Sequence, residues 1–208
     1  MARPIRLAGS EPMRQLILDA AETIFADKGF STARLEDVAQ AVGLKRPSIV
    51  HYFRNKQALY DAVEADIFAA LQAQTRARTA IRTDAWDHLF KVIDSWLEFM
   101  VKRPTAARIT QRISADLTPR LSNPVEFSEA TLATMEAALR EGQARGEFRA
   151  VRASHIVNII GGAILHYVCN ARELGTERAY QPDDPAEIEE FRGLLHAAAR
   201  ALLSTRDS

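Results

Sequence analysis

Apolar residues recur at three- and four-residue steps along nearly the whole chain, the spacing of one buried helix face. Pro12 suits a helix start, where its missing N–H costs no bond, and Leu16, Ile17, Ala20, Ala21, Ile24 and Phe25 carry the stripe that follows. Gly29 ends this helix, with Phe30 placed to pack back on it. Short helices are expected over residues 35–42 and 46–52, separated by Gly43, which suits a left-handed turn. Asn55 caps a fourth helix in which Leu59, Val63, Ile67 and Leu71 follow at successive four-residue steps, reaching about Ile81. Further helices are expected over residues 85–101, 105–117, 124–142, 153–174 and 186–204. Their breaks fall at Asp84, Pro104, TPRLSNP, ARGEFR and YQPDDP. No run alternates as a strand does, so the expected fold is all-α.

Composition narrows this picture. The 208 residues are long enough for one large domain or two modest ones, and 9 Gly with 8 Pro favour long helices and short loops. No apolar run is long enough to span a membrane, and MARPIRLAGSEP lacks the apolar core of a secretory signal. Cys169 is the single cysteine, which excludes an internal disulfide and fits a reducing cytoplasm. The formal net charge of zero hides an asymmetry: residues 1–56 hold 9 Lys/Arg against 6 Asp/Glu, a net +3, balanced by −3 in the remainder. A mildly basic N-terminal end points toward a polyanion, although chance scatter would look the same.

Residues 35–52 fit a helix-turn-helix. Leu35, Val38, Val42, Leu44 and Ile49 supply its apolar positions, Ala39 is small where two helices cross, and Gly43 makes the turn. The stretch ILDAAETIFADKGFSTARLEDVAQAVGLKRPSIVHYFRNKQALYDAV resembles the DNA-binding domain of the tetracycline-repressor (TetR) family of bacterial transcription regulators. The resemblance rests on Ala20–Ala21, Phe25, Gly29–Phe30, Val38–Ala39, Gly43, His51-Tyr52-Phe53, Lys56 and Ala58–Leu59, and more weakly on EGQARGEF at 141–148. It implies a homodimer with a three-helix DNA-binding domain at residues 1–54 and a larger helical domain for effector binding and dimerisation at 55–208. Within such a domain, Arg46 suits a guanine edge, Ser48 and His51 share the groove-facing surface, and Pro47 suits a thymine methyl or sugar. The resemblance places Tyr52 and Lys56 on phosphates, and Thr32 and Arg34 are further phosphate candidates. Lys45 stands where a capping Ser or Thr is common, and Val50 where Tyr is, so both depart from the family pattern on the DNA-facing side. Arg3 and Arg6 belong either to a tail or to a minor-groove arm.

The second domain is less specific. Trp96, Phe99 and Met100 on one helix, with Ile109, Arg112, Ile113, Phe127, Met135 and His166 on its neighbours, are candidates for the wall of a pocket for an apolar or amphipathic effector. Plain core packing competes for each of them. Ile160, Ile164 and Tyr167, with Phe191, Leu195, Ala198 and Leu202 on the last helix, are candidates for a four-helix dimer interface. Asn158 and His166, polar within an apolar helix, also suit hydrogen bonding across that interface. No phosphate loop, nucleophile elbow or clustered metal ligands stand out, so neither an enzyme nor a cofactor is expected. An effector-independent or architectural DNA-binding protein with the same motif remains the alternative.

Overall fold

The structure, a computed structural model, describes residues 10–115, 125–171 and 179–205, with side chains over 11–113, 129–171 and 179–205. The N-terminal arm with Arg3 and Arg6, and the side chain of Phe127, lie outside the described residues. Helices run over Ser10–Thr32 (α1), Leu35–Ala41 (α2), Arg46–Tyr52 (α3), Lys56–Thr79 (α4), Ala85–Lys102 (α5), Pro104–Ala115 (α6) and Val125–Ala144 (α7). They continue over Ala153–Ile156 (α8), Gly162–Asn170 (α9) and Pro185–Leu203 (α10), with a π-helical turn at Val157–Gly161 between α8 and α9. No described residue lies in a strand; a single antiparallel bridge joins Phe148 and Ser204. The fold is all-α, and its chain divides into two compact units between Ile67 and Phe68, inside α4.

The first unit is built on α1. Gly29 leaves helical geometry at φ 74°, ψ 164°, as its position in the sequence requires, but the chain then makes one more turn to Thr32. That turn swings Phe30 back, 6.3 Å from the Phe25 ring, and both rings meet Tyr60 edge-on at 5.0 and 4.9 Å. Ile17, Phe25, Ile49 and Leu59 are buried almost completely around them. Each such side chain contributes roughly 1.5–3 kcal/mol when fully buried.

In the second unit α5 is the hub, packed on α6, α7, α9 and α10. Asp84 caps it by accepting the Asp87 N–H at 2.8 Å, and Leu89, Val92, Ile93, Trp96 and Leu97 turn inward. Pro104 opens α6 directly after Arg103, where its missing donor is harmless. The helix expected over 153–174 is not uniform. The wider π turn offsets the drift of a strict four-residue repeat, and Ile156, Ile160, Ile164 and Val168 all stay buried.

EGQARGEF gains a structural meaning. Gly146 turns the chain at φ 72°, and Phe148 folds back over Gly142 so closely that a Cβ there would lie 2.1 Å from its ring. Phe148 is buried against Trp86 at 4.5 Å between centroids. The next residue, Arg149, donates its N–H to the Leu203 carbonyl at 2.8 Å, tying this segment to the end of α10. Glu141 accepts from His88 Nδ1 at 2.8 Å, Arg82 at 3.2 Å and Arg145 at 3.1 Å. The His88 bond, then Arg82, hold the Glu141 carboxyl below its ordinary range.

Candidate nucleic-acid interface

The α2–α3 pair is fixed from within. Leu35, Val38 and Ala39 on α2 and Ile49 on α3 are buried, and the Leu44 N–H reaches the Ala39 carbonyl at 2.8 Å across the turn. Gly43 occupies that turn at φ 69°, the left-handed conformation a side chain would strain. Arg34, extended at the head of α2, has no side-chain cap to offer. Asp37 compensates by accepting the Arg34 N–H at 3.0 Å, and Lys28 pairs with its carboxylate at 3.0 Å. These partners, Lys28 first, hold the Asp37 carboxyl below its usual value.

Helix α3 begins with Arg46 and Pro47, so the proline sits in the first turn and breaks no intrahelical bond. Lys45 precedes it in extended geometry and makes no side-chain cap; its carbonyl accepts the Ser48 N–H at 2.9 Å instead. One side of the helix is committed to the core through Ile49, followed by buried Phe53, over whose ring the Arg14 guanidinium lies at 5.2 Å. The other side is open: Lys45, Arg46, Pro47, Val50 and His51 are exposed, and Ser48 and Tyr52 are half-buried. His51 and Tyr52 meet edge to face at 5.5 Å, and with Met13, Leu44, Pro47 and Ser48 they line one open cleft. Thr32 and Arg34 are exposed at the α1–α2 junction.

Two side chains have employment that the sequence did not reveal. The Lys56 ammonium donates to the carbonyls of Phe30, Ser31 and Ala33 at 2.7, 3.2 and 3.0 Å, and lies 4.6 Å from the centre of the Phe30 ring. An ammonium has three donors, so a phosphate at Lys56 would have to displace one of these carbonyls. Without DNA, Lys56 thus clamps the α1–α2 junction to the start of α4, where Asn55 caps the Ala58 N–H at 2.8 Å, a role that competes with the phosphate contact expected of it. Glu36, on α2, lies with Oε1 2.8 Å from Arg46 Nε. Opposite charges across a helix-turn-helix were the available signal, but periodicity does not say which surface side chains meet.

In the second unit Trp96, Phe99, Met100, Ile109 and Met135 are buried, Ile113 is half-buried, and Arg112 and His166 face solvent. The His166 ring engages Asn170, 2.6 Å away on its own helix, and does not join the buried wall. The residues expected at a dimer interface divide. Ile160, Ile164, Tyr167 and Leu195 are buried within the chain, and Phe191, Ala198 and Leu202 are half-buried. Phe191 stacks on Tyr167 at 4.1 Å, so this stripe serves the chain's own core. The same two segments turn Ile159 and Leu194 outward, 47% and 60% exposed.

A helix-turn-helix with one basic, open face at the head of an all-α chain defines a DNA-binding domain. Residues 17–63 match the family described as bacterial regulatory proteins, tetR family, so this stretch carries the DNA-binding domain of that family. It is 25% identical over 146 residues to the HTH-type transcriptional repressor KstR2 of Rhodococcus jostii, covering 67% of this chain and 72% of that protein. It is 21% identical over 179 residues to the nucleoid occlusion factor SlmA of Haemophilus influenzae, covering 82% of each. The fold is similar to that of the transcriptional regulator FadR from Bacillus subtilis in complex with stearoyl-CoA, with TM-score 0.68, 20% identity, and coverage of 88% of this chain and 97% of that one.

Proposed function

We propose that this protein is a homodimeric transcriptional repressor that binds a palindromic operator and is released from it by a small-molecule effector. The observation that carries this reading is the division of α3, where Ile49 is wholly buried while Lys45, Arg46, Pro47 and His51 stand exposed. Such a helix enters a major groove with its leading residues on base edges. Arg46 reads a guanine, Ser48 and His51 face the groove, Pro47 meets a thymine methyl or sugar, and Lys45, Tyr52, Thr32 and Arg34 hold phosphates. Two copies pair through the outward faces of the π turn before α9 and of α10, where Ile159 and Leu194 are the exposed apolar residues.

The effector reading has separate support. FadR is described in complex with stearoyl-CoA, and the second unit of this chain concentrates apolar and aromatic side chains around Trp96, Phe99 and Met135. An amphipathic effector with an apolar portion suits that composition. It must bind the two dimer states unequally to move the equilibrium between them.

Selection of bound fragments from genomic DNA tests the proposal. The expected result is a two-fold symmetric motif with half-sites about 34–36 Å apart, or a multiple of that spacing. Enrichment without a shared motif would leave only non-specific binding. A second reading, DNA binding with no effector, draws on the similarity to the nucleoid occlusion factor SlmA. Release of the selected fragment by an acyl-thioester such as stearoyl-CoA, with a matching rise in melting temperature, separates the two.

A further inference from the structure

We infer that Glu36 is a positioning residue for base reading. Its carboxylate holds the Arg46 guanidinium at the groove-facing end of α3 and away from phosphates. The inference rests on the DNA-binding reading of α3.

The two residues sit on different halves of the helix-turn-helix, Glu36 at the second position of α2 and Arg46 at the first of α3. Their backbones are held in register by buried Leu35, Val38, Ala39 and Ile49, and by the Gly43 turn. Pro47 stiffens the chain immediately after Arg46, because its ring fixes φ. The arginine side chain itself has many rotamers, and an untethered guanidinium beside DNA has many phosphates to choose from. Reading guanine instead requires two parallel donors aimed at one base edge. Glu36, with Oε1 at 2.8 Å from Nε, narrows that choice.

Both side chains are 59% exposed, so the pair is weak enough to adjust when DNA arrives. The pairing is also selective. Among the described residues, neighbouring Lys45 and Arg54 have no ion-pair partner, so the surface is not neutralised throughout. A carboxylate this close to a DNA-facing arginine repels phosphate and lowers non-specific affinity. Specificity is a difference between affinities, and a group that weakens the wrong complex raises it. The competing role for Glu36 is a simple one, an acidic residue in the first turn of α2 that favours the helix dipole. That role predicts no effect on base preference.

The test is selection from a random duplex pool, with parallel titrations against a non-specific duplex, using the full chain and E36Q, R46A and the double variant. Melting temperatures are recorded alongside, since an unfolding variant loses preference at every position together. The native chain is expected to enrich a motif containing one guanine position that R46A loses. E36Q is expected to bind non-specific duplex several-fold more tightly and to lose about two- to threefold in discrimination at that position alone. In the R46A background, E36Q should leave the motif unchanged. Equal tightening of selected and non-specific DNA by E36Q, with its motif intact, would overturn the inference and leave Glu36 as a repelling charge. Failure of the native chain to enrich any sequence overturns the DNA-binding reading itself, and shows in that arm alone.

Discussion

Two arginines show how differently the units use charge. In the second unit, Arg192 on α10 is 23% exposed and bridges Asp94 at 3.4 Å and Glu98 at 3.2 Å, with Glu189 on its own helix. Arg78 joins the same carboxylates from α4 at 3.9 and 2.7 Å, and His196 Nε2 lies 2.8 Å from Asp94. Those charges tie α4, α5 and α10 together and have little left for a partner. In the first unit Arg46 is 59% exposed with one surface carboxylate, and Lys45 beside it has none among the described residues. Residue type alone does not separate structural charge from charge kept for a ligand; burial and the number of partners do.

The comparison breaks most easily where the second unit depends on packing. Phe148→Ala empties the space over Gly142 and beside Trp86, and should cost about 3–5 kcal/mol in urea unfolding. Trp86 and Trp96 are the only tryptophans, so their fluorescence follows the second unit selectively. A loss below about 1 kcal/mol would mean that EGQARGEF is not the clasp its geometry describes.

Lys56 belongs to the first unit yet is used like Arg192. Lys56→Met removes the donor from three carbonyls, and should cost about 1 kcal/mol, since two of these bonds are partly buried and one is exposed to water. Circular dichroism reads this loss. The slope of log affinity against log salt should stay unchanged, whereas loss of a phosphate anchor lowers it by about 0.9. A lowered slope at native stability would restore the phosphate role and remove the clamp.

The fold was legible where steric demands are local. Gly29, Gly43, Asn55, Asp84 and Pro104 each announce a break or cap by their own chemistry, and the structure uses each at that place. The open face of α3 was legible for the same reason, since Ile49 and Phe53 fix the inward side. What sequence spacing missed is pairwise and distant. The partners of Lys56 lie 23 to 26 residues away, and those of Arg192 on α5 nearly 100. The dimer candidates divide for the same reason, four of them buried within the chain and Phe191, Ala198 and Leu202 half-buried. A regular apolar stripe marks the face with most to bury, and Ile160, Ile164 and Leu195 bury it inside their own chain. The outward face, with Ile159 and Leu194, is too sparse to form a pattern.

Acid sharpens the contrast at lower amplitude. The folded Glu141 carboxyl lies below its ordinary value of 4.5, held there first by His88 and then by Arg82. Its contribution to stability is complete above that value and is lost as pH falls through the depressed folded value. Glu141→Gln should therefore flatten the fall in tryptophan-monitored melting temperature below pH 4.5. Asp37, lowered by Lys28 and the Arg34 N–H, gives the first unit its own acid dependence, which Asp37→Asn should flatten when followed by circular dichroism. If Glu141→Gln left the tryptophan-monitored curve unchanged, the His88–Glu141–Arg82 cluster would be a surface pairing only.

The smallest change in stability is the most informative about function. Arg46→Ala removes one exposed ion pair, and such pairs contribute little, so urea unfolding should move by no more than about 0.5 kcal/mol. Specific DNA binding should nevertheless weaken by about 1–3 kcal/mol, with preference relaxed at one base position. The same substitution at Arg192 should reverse the order: a large loss of stability, because Asp94 and Glu98 lose a shared partner, and no change in base preference in the fraction that folds. Should Arg46→Ala weaken specific and non-specific DNA by the same factor, Arg46 would be a phosphate contact. The distinction between the two units would then be one of exposure alone, with base reading left to Ser48, Val50 and His51.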